Sequence, residues 1–505
     1  MKRFLLIILL SPVGLMAAEP PQPNIILFLV DDMGLMDTSA PMLSDREGKP
    51  ESHPLNAWYR TPNMERLAKK GIRFSQFYAH TVCSPTRVSI MTGQNSARHH
   101  TTQFISPRGK NTGEFGPEGW NWAGLTPDDV TLPGLLREAG YRTIHVGKAH
   151  FAPPDHVGED PSNIGFDVNV GGAAMGQPGS YWGQDGYGNL NPKRQTWAVP
   201  GLEKYHRTDT FLTEALTVEA KAEIDQSLER EKPFYLYMSH YAVHSPFQAD
   251  PRFEANYPET EKDARSRAYA TLIEGMDKSL GDLMDHLEAR GIAENTLIIF
   301  MGDNGSDGPF GGSDNIASSA PFRGKKASRW EGGIRVPFIT AWGDPNAENA
   351  LQAKLPIPAG AVQSQVGICY DVFPTILNVA AASSPSGHVM DGRDLQPLLQ
   401  GGEDADRKDV FLSHFPHVHR NSYFTSYRAG NWKLIYHYRP ESGDDADRYE
   451  LYNLRKDPSE SENQAIAEPK RLARMVRVMT RQLDAMDAQY PVVDGKELRP
   501  IIPSS

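Results

Sequence analysis

The chain has 505 residues, and its 52 Lys and Arg against 63 Asp and Glu give a formal net charge of −11. With 39% hydrophobic residues, 23% charged residues and two cysteines, the composition excludes collagen-like, disordered and disulfide-scaffold proteins. The acidic balance, without a block of Lys or Arg, argues against nucleic acid as the main partner.

Residues 1–18 predict a secretory signal peptide. Lys2 and Arg3 form a charged start, residues 4–10 an apolar run, and residues 16–18 a cleavage region that ends in two alanines. The apolar run is too short to span a bilayer, which favours cleavage over a membrane anchor. No later segment is long and apolar enough to span, so we expect an exported protein, periplasmic or secreted, without a membrane span.

Strand and helix patterns alternate after the signal peptide. Residues 24–30 form a continuous apolar run that ends at Asp31-Asp32, typical of a buried central strand with polar groups at its carboxyl end. Further elements are predicted, in chain order, as helix 61–70, helix 132–139, strand 141–146, strand 233–239, helix 265–290 and strand 296–301. This alternation predicts an α/β fold with a large, mixed, mostly parallel sheet sandwiched by helices.

The sequence pattern of the chain changes after about residue 382. Strand-like segments at 411–415, 423–428 and 432–438, and a last helix over 469–488, predict a smaller α+β unit with a short antiparallel sheet. We therefore expect a signal peptide at 1–18, a catalytic domain at 19–385 and a C-terminal α+β subdomain at 386–505.

Three polar clusters directly follow predicted strands: Asp31-Asp32, residues 147–150 and Asp303-Asn304. The carboxyl ends of the strands form the ligand crevice in open α/β sheets, so these clusters are expected to converge. The Asp and Asn side chains offer only oxygen ligands, which suit Ca²⁺, or less well Mg²⁺, rather than zinc. Either pair alone is better explained as a turn or helix cap, but both pairs at strand ends favour a metal site.

Other metal and nucleotide motifs are incomplete. The loop after residue 302 fails as an EF-hand because Gly305 stands where a side-chain oxygen is required. His240 and His244 have the spacing of a zinc helix, but no Glu follows His240. Lys148 lacks the flanking residues of a P-loop, and the chain contains no G-x-S-x-G nucleophile elbow.

Residues 83–87, Cys-Ser-Pro-Thr-Arg, followed by a small-residue stretch that ends in Thr92-Gly93, resemble the C-x-P-x-R signature of the formylglycine-dependent sulfatases. The resemblance continues in family order over nearly the whole chain, with the Asp pair at 31–32, G-K-x-H at 147–150, V-H-x-P at 243–246, G-D-N-G at 302–305 and Gly324-Lys325-Lys326 before Glu331-Gly332-Gly333. It implies the alkaline-phosphatase-like fold of that superfamily and the activity of a sulfuric ester hydrolase.

The resemblance also implies how the nucleophile is made. In this family the motif cysteine is oxidised to formylglycine (3-oxoalanine) by a formylglycine-generating or anaerobic sulfatase-maturating enzyme. One hydroxyl of the hydrated aldehyde from Cys83 would attack sulfur, and the other would later expel sulfate. By the same resemblance, a Ca²⁺ ion would be held by Asp31, Asp32, Cys83, Asp303 and Asn304.

The other implied roles fall to basic side chains: Arg87 would fix the hydrate, Lys148, His244 and Lys326 would hold the sulfate oxygens, and His150 would assist proton removal. The alkoxide leaving group is poor and needs an acid, for which His244 and Lys326 are both candidates. Spacing favours Lys326 over Lys325, which stands where the family often has glycine.

Three alternatives stay open at this point. Cys83 and Cys369 could form a disulfide, although the apolar surroundings of Cys369 favour a buried thiol. A phosphonate or phosphate ester hydrolase on the same fold would share the metal residues. A non-catalytic glycan-binding relative would result if Cys83 were never converted.

The substrate class implied is sulfated carbohydrate, such as polysaccharide or glycosaminoglycan fragments. Candidate substrate-contacting residues are Arg98, His99, His100, Trp182 and His417. Loop aromatics, among them Tyr181 and Trp330, could stack on sugar rings, and ordinary packing explains them at least as well. A polar cluster at residues 414–420 could bind hydroxyls or form a solvated face.

Overall fold

The computed structural model describes residues 22–503 apart from 46, 261, 311–317, 441 and 444. The predicted signal peptide therefore lies outside the described residues. Across the part of the chain that is described, no helix combines the length and apolar character needed to cross a membrane.

The strands, numbered along the chain, are β1 (Asn24–Val30), β2 (Leu43–Ser44), β3 (Pro50–Glu51), β4 (Ile72–Phe74), β5 (Phe77–Tyr78), β6 (Arg142–Gly147), β7 (Val168–Val170), β8 (Phe234–His240), β9 (Thr296–Gly302), β10 (Phe338–Trp342), β11 (Ala361–Gln363), β12 (Gly367–Ile368), β13 (Val410–His419), β14 (Asn421–Ala429), β15 (Trp432–His437), β16 (Tyr449–Asn453), β17 (Val492–Val493) and β18 (Lys496–Glu497). The α-helices are α1 (Pro62–Lys70), α2 (Cys83–Thr92), α3 (Ser96–His99), α4 (Leu132–Glu138), α5 (Leu212–Glu229), α6 (Ala264–Ala289), α7 (Glu331–Ile334), α8 (Val372–Val379), α9 (Gln396–Leu399) and α10 (Pro469–Ala485).

The main sheet has eight strands in the order β11-β4-β10-β9-β1-β8-β6-β7. The central strand β1 runs parallel to both β8 and β9, and β10 is antiparallel to both of its neighbours. The sheet is therefore mixed and mostly parallel, and the predicted fold class is confirmed.

Both faces of this sheet are buried. Ile26, Phe28 and Val30 of β1 pack into the core beneath α1, α5 and α6, whereas Ile25 and the other alternate residues pack beneath α2, α4 and α8. Successive side chains of a strand point to opposite faces, so the continuous apolar run of β1 supplies both cores.

The C-terminal part of the chain forms a second, antiparallel sheet in the order β13-β14-β15-β16. One face of it packs on α10 through residues such as Leu434 and Met479. The other face packs against the main body, where Phe424 meets Val82 and Trp330. The predicted antiparallel sheet and last helix are confirmed, and the boundary at 385/386 stays a prediction.

A buried ion cluster ties the two parts together. The Lys433 ammonium on β15 lies 3.1 Å from a Glu331 carboxylate oxygen of α7 and 2.7 Å from a Glu460 oxygen, and all three side chains are buried. Burial and the neighbouring Glu331 raise the pKa of Glu460 to about 7. Lys433 thus compensates the charge of two carboxylates that are buried away from water and would repel each other without it.

We expect Lys433→Met to lower the free energy of unfolding by about 3–5 kcal/mol, because it leaves buried carboxylates without their cation. Denaturant unfolding measures the change, with the exposed Lys456→Met as the matched control. A loss no larger than that of the control would show that the cluster does not hold the two parts together.

Candidate active site

The carboxyl ends of four neighbouring strands bring the predicted polar residues to one edge of the sheet. They are Asp31 and Asp32 after β1, Lys148 and His150 after β6, His244 after β8, and Asp303 and Asn304 after β9. The helix α2 begins at Cys83 and also carries Arg87, and all ten of its residues are buried. Lys326 reaches the same edge from the loop before α7.

The backbone at this edge adopts conformations that side chains seldom allow. Asp32 and His150 both lie in the left-handed region, with φ of 60° and 58°. Gly147 has φ of 101°, and a Cβ added there would lie 1.9 Å from the carbonyl oxygen of Ser239. Such strain persists where the surrounding structure enforces it, and it concentrates at functional sites.

Three buried carboxylates are each paired with a buried cation: Arg87 with Asp303 (3.0 and 2.8 Å), Lys148 with Asp31 (2.7 Å) and Lys326 with Asp32 (2.7 Å). Arg87 also donates to the carbonyl oxygen of Lys148 at 3.0 Å. The charges of these six groups balance, so a bound divalent cation would leave the site positive and suited to an anionic substrate.

Burial perturbs the carboxylates in different directions. It raises the pKa of Asp31, and together with the neighbouring Asp31 it raises the pKa of Asp303 to about 6. Burial alone would also raise the pKa of Asp32, but His244 while it is protonated, Lys326 and Lys148 hold it far below its usual value. Crowded carboxylates of this kind gain from a cation that takes the place of a proton.

The oxygen set fits a hard divalent cation. Asp31 Oδ1 and Asn304 Oδ1 are buried and have no hydrogen-bond partner among the described residues. Ligand atoms of Asp31, Cys83 and Asp303 all lie within 4.8 Å of one another. Buried oxygens without partners cost free energy unless an ion or water satisfies them, and oxygen donors of this type bind Ca²⁺ or Mg²⁺.

Cys83 and Cys369 are both free thiols, so the possible disulfide between them is not formed. Burial raises the pKa of Cys83 to about 12. Its thiol is therefore protonated at neutral pH, and it is a poor nucleophile as a cysteine.

The two histidines of the site are neutral at pH 7. His150 donates its Nε2–H to the carbonyl oxygen of Ile105 at 2.6 Å, and its buried Nδ1 has no hydrogen-bond partner in the described part of the chain. Burial and Lys148 lower its pKa well below the usual value. His244 donates Nδ1–H to the carbonyl oxygen of Ser245 at 2.9 Å, and burial lowers its pKa to about 4. Each ring therefore keeps one nitrogen that can accept a proton.

Cys83 lines a cavity of about 190 Å³ together with His150, His244 and Lys326. Lys325, by contrast, donates to the carbonyl oxygen of Gly308 at 3.2 Å. A larger cavity of about 640 Å³ lies at the opposite ends of the strands, and among the described residues its charged lining side chains are Glu138 and Lys354. The chemistry is concentrated in the smaller cavity.

The five predicted substrate-contacting residues are not brought to this cavity. Arg98 pairs with Asp391 at 2.7 Å, and the Trp182 ring packs on Phe211 with 5.4 Å between centroids. The three histidines form hydrogen bonds elsewhere: His99 with Ser89 at 3.0 Å, His100 with the carbonyl oxygen of Asp487 at 2.9 Å, and His417 with Thr102 at 2.8 Å. These side chains hold loops and the two parts of the molecule together.

The cavity is also lined by residues that the sequence analysis did not predict. Phe104, Gln177 and Trp197 come from separate loops, and no pattern in the sequence connects them. Gln177 lies in the glycine-rich stretch 171–188, where Tyr181 is fully buried, as is Trp330 elsewhere in the chain. For these two aromatics, ordinary packing is the right explanation.

The chain resembles known proteins in both sequence and fold. A family model described as Sulfatase matches residues 23–382, and one described as N-sulphoglucosamine sulphohydrolase, C-terminal, matches residues 329–489. The N-acetylgalactosamine-6-sulfatase of Mus musculus is 32% identical over 416 residues, which cover 80% of this chain and 71% of that protein. A protein named Sulfatase from Formosa agariphila is 29% identical over 499 residues, which cover 88% of this chain and 84% of that protein. The structure of Ps i-CgsB, also known in complex with k-i-k-neocarrahexaose, matches with a TM-score of 0.72 and 26% identity over 94% of this chain and 95% of that one.

Proposed function

The chain belongs to the sulfatase family and is a sulfuric ester hydrolase, and on that premise we propose that it removes sulfate from carbohydrates with a formylglycine made from Cys83. The observation that carries the proposal is the meeting of Cys83 with three carboxylates and three cations at one strand edge. That set combines a nucleophile position, oxygen ligands and groups that bind an anion.

The aldehyde supplies what a thiol cannot, a hydrate with two hydroxyls on one carbon, one to act as nucleophile and one to allow sulfate release. Arg87 would hold this hydrate from the next turn of α2. His150, with Nδ1 unprotonated and without a partner, would accept a proton from it. The protonated thiol of unconverted Cys83 supports the need for this modification.

Asp31, Asp32, Asp303, Asn304 and the modified Cys83 would hold Ca²⁺. When bound, the ion supplies positive charge that favours ionisation of a nearby hydroxyl and binding of a sulfate oxygen. The buried, unpartnered oxygens of Asp31 and Asn304 support this assignment.

Lys148, His244 and Lys326 would bind the sulfate oxygens. His244 and Lys326 line the cavity with Cys83, whereas Lys148 is buried and donates to an Asp31 carboxylate oxygen. The two ammonium groups already pair with Asp31 and Asp32, so they are positioned before substrate arrives. Lys326, whose pKa the neighbouring Asp32 raises against the effect of burial, or His244 after it has accepted a proton, would then protonate the leaving alkoxide.

The relatives support sulfated polysaccharide or glycosaminoglycan fragments as substrates. The mouse relative is named for N-acetylgalactosamine 6-sulfate, and Ps i-CgsB binds a neocarrahexaose. We further propose that the protein is exported by the signal at residues 1–18 and matured by an enzyme that oxidises Cys83, as the charged start, the apolar run and the C-x-P-x-R motif indicate.

Parallel assays on 4-nitrophenyl sulfate, 4-nitrophenyl phosphate and a phosphonate monoester test the reaction class. We expect sulfate to be hydrolysed fastest. Faster hydrolysis of the phosphate or the phosphonate would overturn the proposal in favour of the related hydrolases on this fold. Activity retained in Cys83→Ala would show that Cys83 is not the source of the nucleophile.

The dependence of the rate on the pKa of the leaving group identifies the residue that acts as the acid. We expect His244→Gln or Lys326→Met, whichever removes the acid, to slow poor leaving groups by about 10²–10⁴-fold and good ones far less. A series of aryl sulfates gives the dependence of kcat on leaving-group pKa. His240→Gln, four residues away and bound to Ser279 at 2.9 Å, is the matched control. An unchanged dependence in both variants would exclude both residues as the acid.

A further inference from the structure

The hairpin between β13 and β14 reaches from the C-terminal sheet to the active-site cavity. Arg420 forms its turn with a left-handed φ of 59°. The strand register shifts between Phe415 and Val418, a bulge that bends the hairpin. As a result, His419 and Arg420 line the same cavity as Cys83 and Lys326.

This tip is held in place from the main body. Both Arg420 Nη groups donate to the two carboxylate oxygens of Asp307, one of them at 3.1 Å. The Asp307 backbone N–H donates to the carbonyl oxygen of Asp32 at 3.3 Å. The His419 ring packs edge-on against Phe104, with 4.8 Å between centroids. The hairpin tip is thus fixed relative to the sulfate-binding groups before substrate binds.

The chemistry of the tip suits hydroxyl groups. Asp307 balances the charge of Arg420, so the pair offers fixed N–H donors without a strong net field for a second anion. Burial and the adjacent Arg420 lower the pKa of His419 to about 4, so its ring is neutral and has one donor and one acceptor. Trp197 adds an aromatic side chain to the same cavity, and the Arg108 guanidinium lies over its ring at 4.2 Å from the centroid.

We propose that His419 and Arg420 are substrate-binding residues that recognise hydroxyl groups of the sugar ring bearing the sulfate, with Asp307 positioning Arg420. The inference rests on the proposed function, because the sulfate must occupy the Lys326 side of the cavity. The cavity of about 190 Å³ is smaller than the roughly 300–1,000 Å³ of pockets for drug-sized ligands. The enclosed volume suits about one sugar ring.

The test compares a sugar substrate with one that lacks hydroxyls. Wild type, Arg420→Gln, Arg420→Lys and His419→Ala are assayed on 4-nitrophenyl sulfate and on a panel that includes N-acetylgalactosamine 6-sulfate and galactose 6-sulfate. We expect Arg420→Gln and His419→Ala to lower the ratio of kcat/KM on the best sugar to kcat/KM on aryl sulfate by about tenfold or more, mainly through KM. Arg420→Lys keeps the charge but loses the forked N–H donors of the guanidinium, so its ratio should lie between those of wild type and Arg420→Gln.

The outcomes separate this inference from the proposed function. Arg474→Gln, an exposed arginine on α10, is the control and should leave the ratio unchanged. Equal losses on both substrates would assign the hairpin a structural role and overturn the inference, as would no loss on either. A wild type that cleaves aryl sulfate but no sugar in the panel would also overturn it. A wild type that cleaves neither would instead count against the proposed function.

Discussion

Cys83→Ala is expected to lower kcat/KM on 4-nitrophenyl sulfate by roughly 10⁴- to 10⁶-fold, the loss that follows removal of a catalytic nucleophile. Cys83 is buried at the first position of α2 and lines the cavity beside His150 and Lys326. Alanine leaves the helix and the surrounding ion pairs in place and removes only the thiol sulfur, without which Cβ cannot be converted to the proposed aldehyde. Cys83→Ser tests the same point, because a serine that is not oxidised to the aldehyde offers one plain hydroxyl in place of the hydrate.

The second cysteine provides the control. Cys369 is also buried and is also a free thiol, but it packs in the core beside Val372 and Phe373. Cys369→Ala should keep its activity and lose about 1 kcal/mol in the free energy of unfolding. A Cys83→Ala protein with more than about one hundredth of wild-type activity would show that another group is the nucleophile.

Asp303→Asn is expected to lower activity by about 10³-fold or more and to abolish binding of Ca²⁺. Asp303 Oδ2 accepts two N–H groups of Arg87, and Oδ1 accepts the backbone N–H of Asp32 at 3.0 Å. The amide has the same shape but no charge, and its NH₂ would face these donors. The site would then lose one of three carboxylates while keeping three cations.

Metal analysis and thermal unfolding measure this loss without reference to turnover. Ca²⁺ at about one hundred times its Kd should stabilise wild type by about 2.7 kcal/mol and leave Asp303→Asn unchanged. Asp250→Asn is the matched control, because Asp250 is a buried carboxylate in a bidentate pair with Arg252 on another loop. It should lose stability yet keep the Ca²⁺ response. A full Ca²⁺ response in Asp303→Asn would remove that residue from the metal site.

The elements that the sequence predicts well are those whose apolar pattern matches their burial. The continuous run of β1 and the amphipathic α6 were both found within a residue of their ends. The helix α2 is buried on all sides, so it has no amphipathic pattern, and only its motif located it. The helix α5 was missed, and so were two- and three-residue strands such as β5 and β11, whose pairing depends on distant segments.

The same division holds for the active site. Asp31-Asp32 and Asp303-Asn304 could be placed together because strand ends in a parallel sheet share one edge. Arg98 follows the motif helix closely in sequence, but it turns outward to Asp391. The cavity walls Phe104 and Trp197 come from loops that only the folded chain brings together, and adjacency in sequence carries no information about such contacts.

The mass of the tryptic peptide that spans residues 74–87 and contains Cys83, from protein purified from its native host, shows whether the formylglycine is present. We expect a peptide in which an oxygen has replaced the sulfur of Cys83 and two hydrogens have been lost, one from the thiol and one from Cβ. Its aldehyde should react with a hydrazide probe. An unmodified thiol throughout the preparation, in protein that still hydrolyses sulfate esters, would contradict the proposed mechanism.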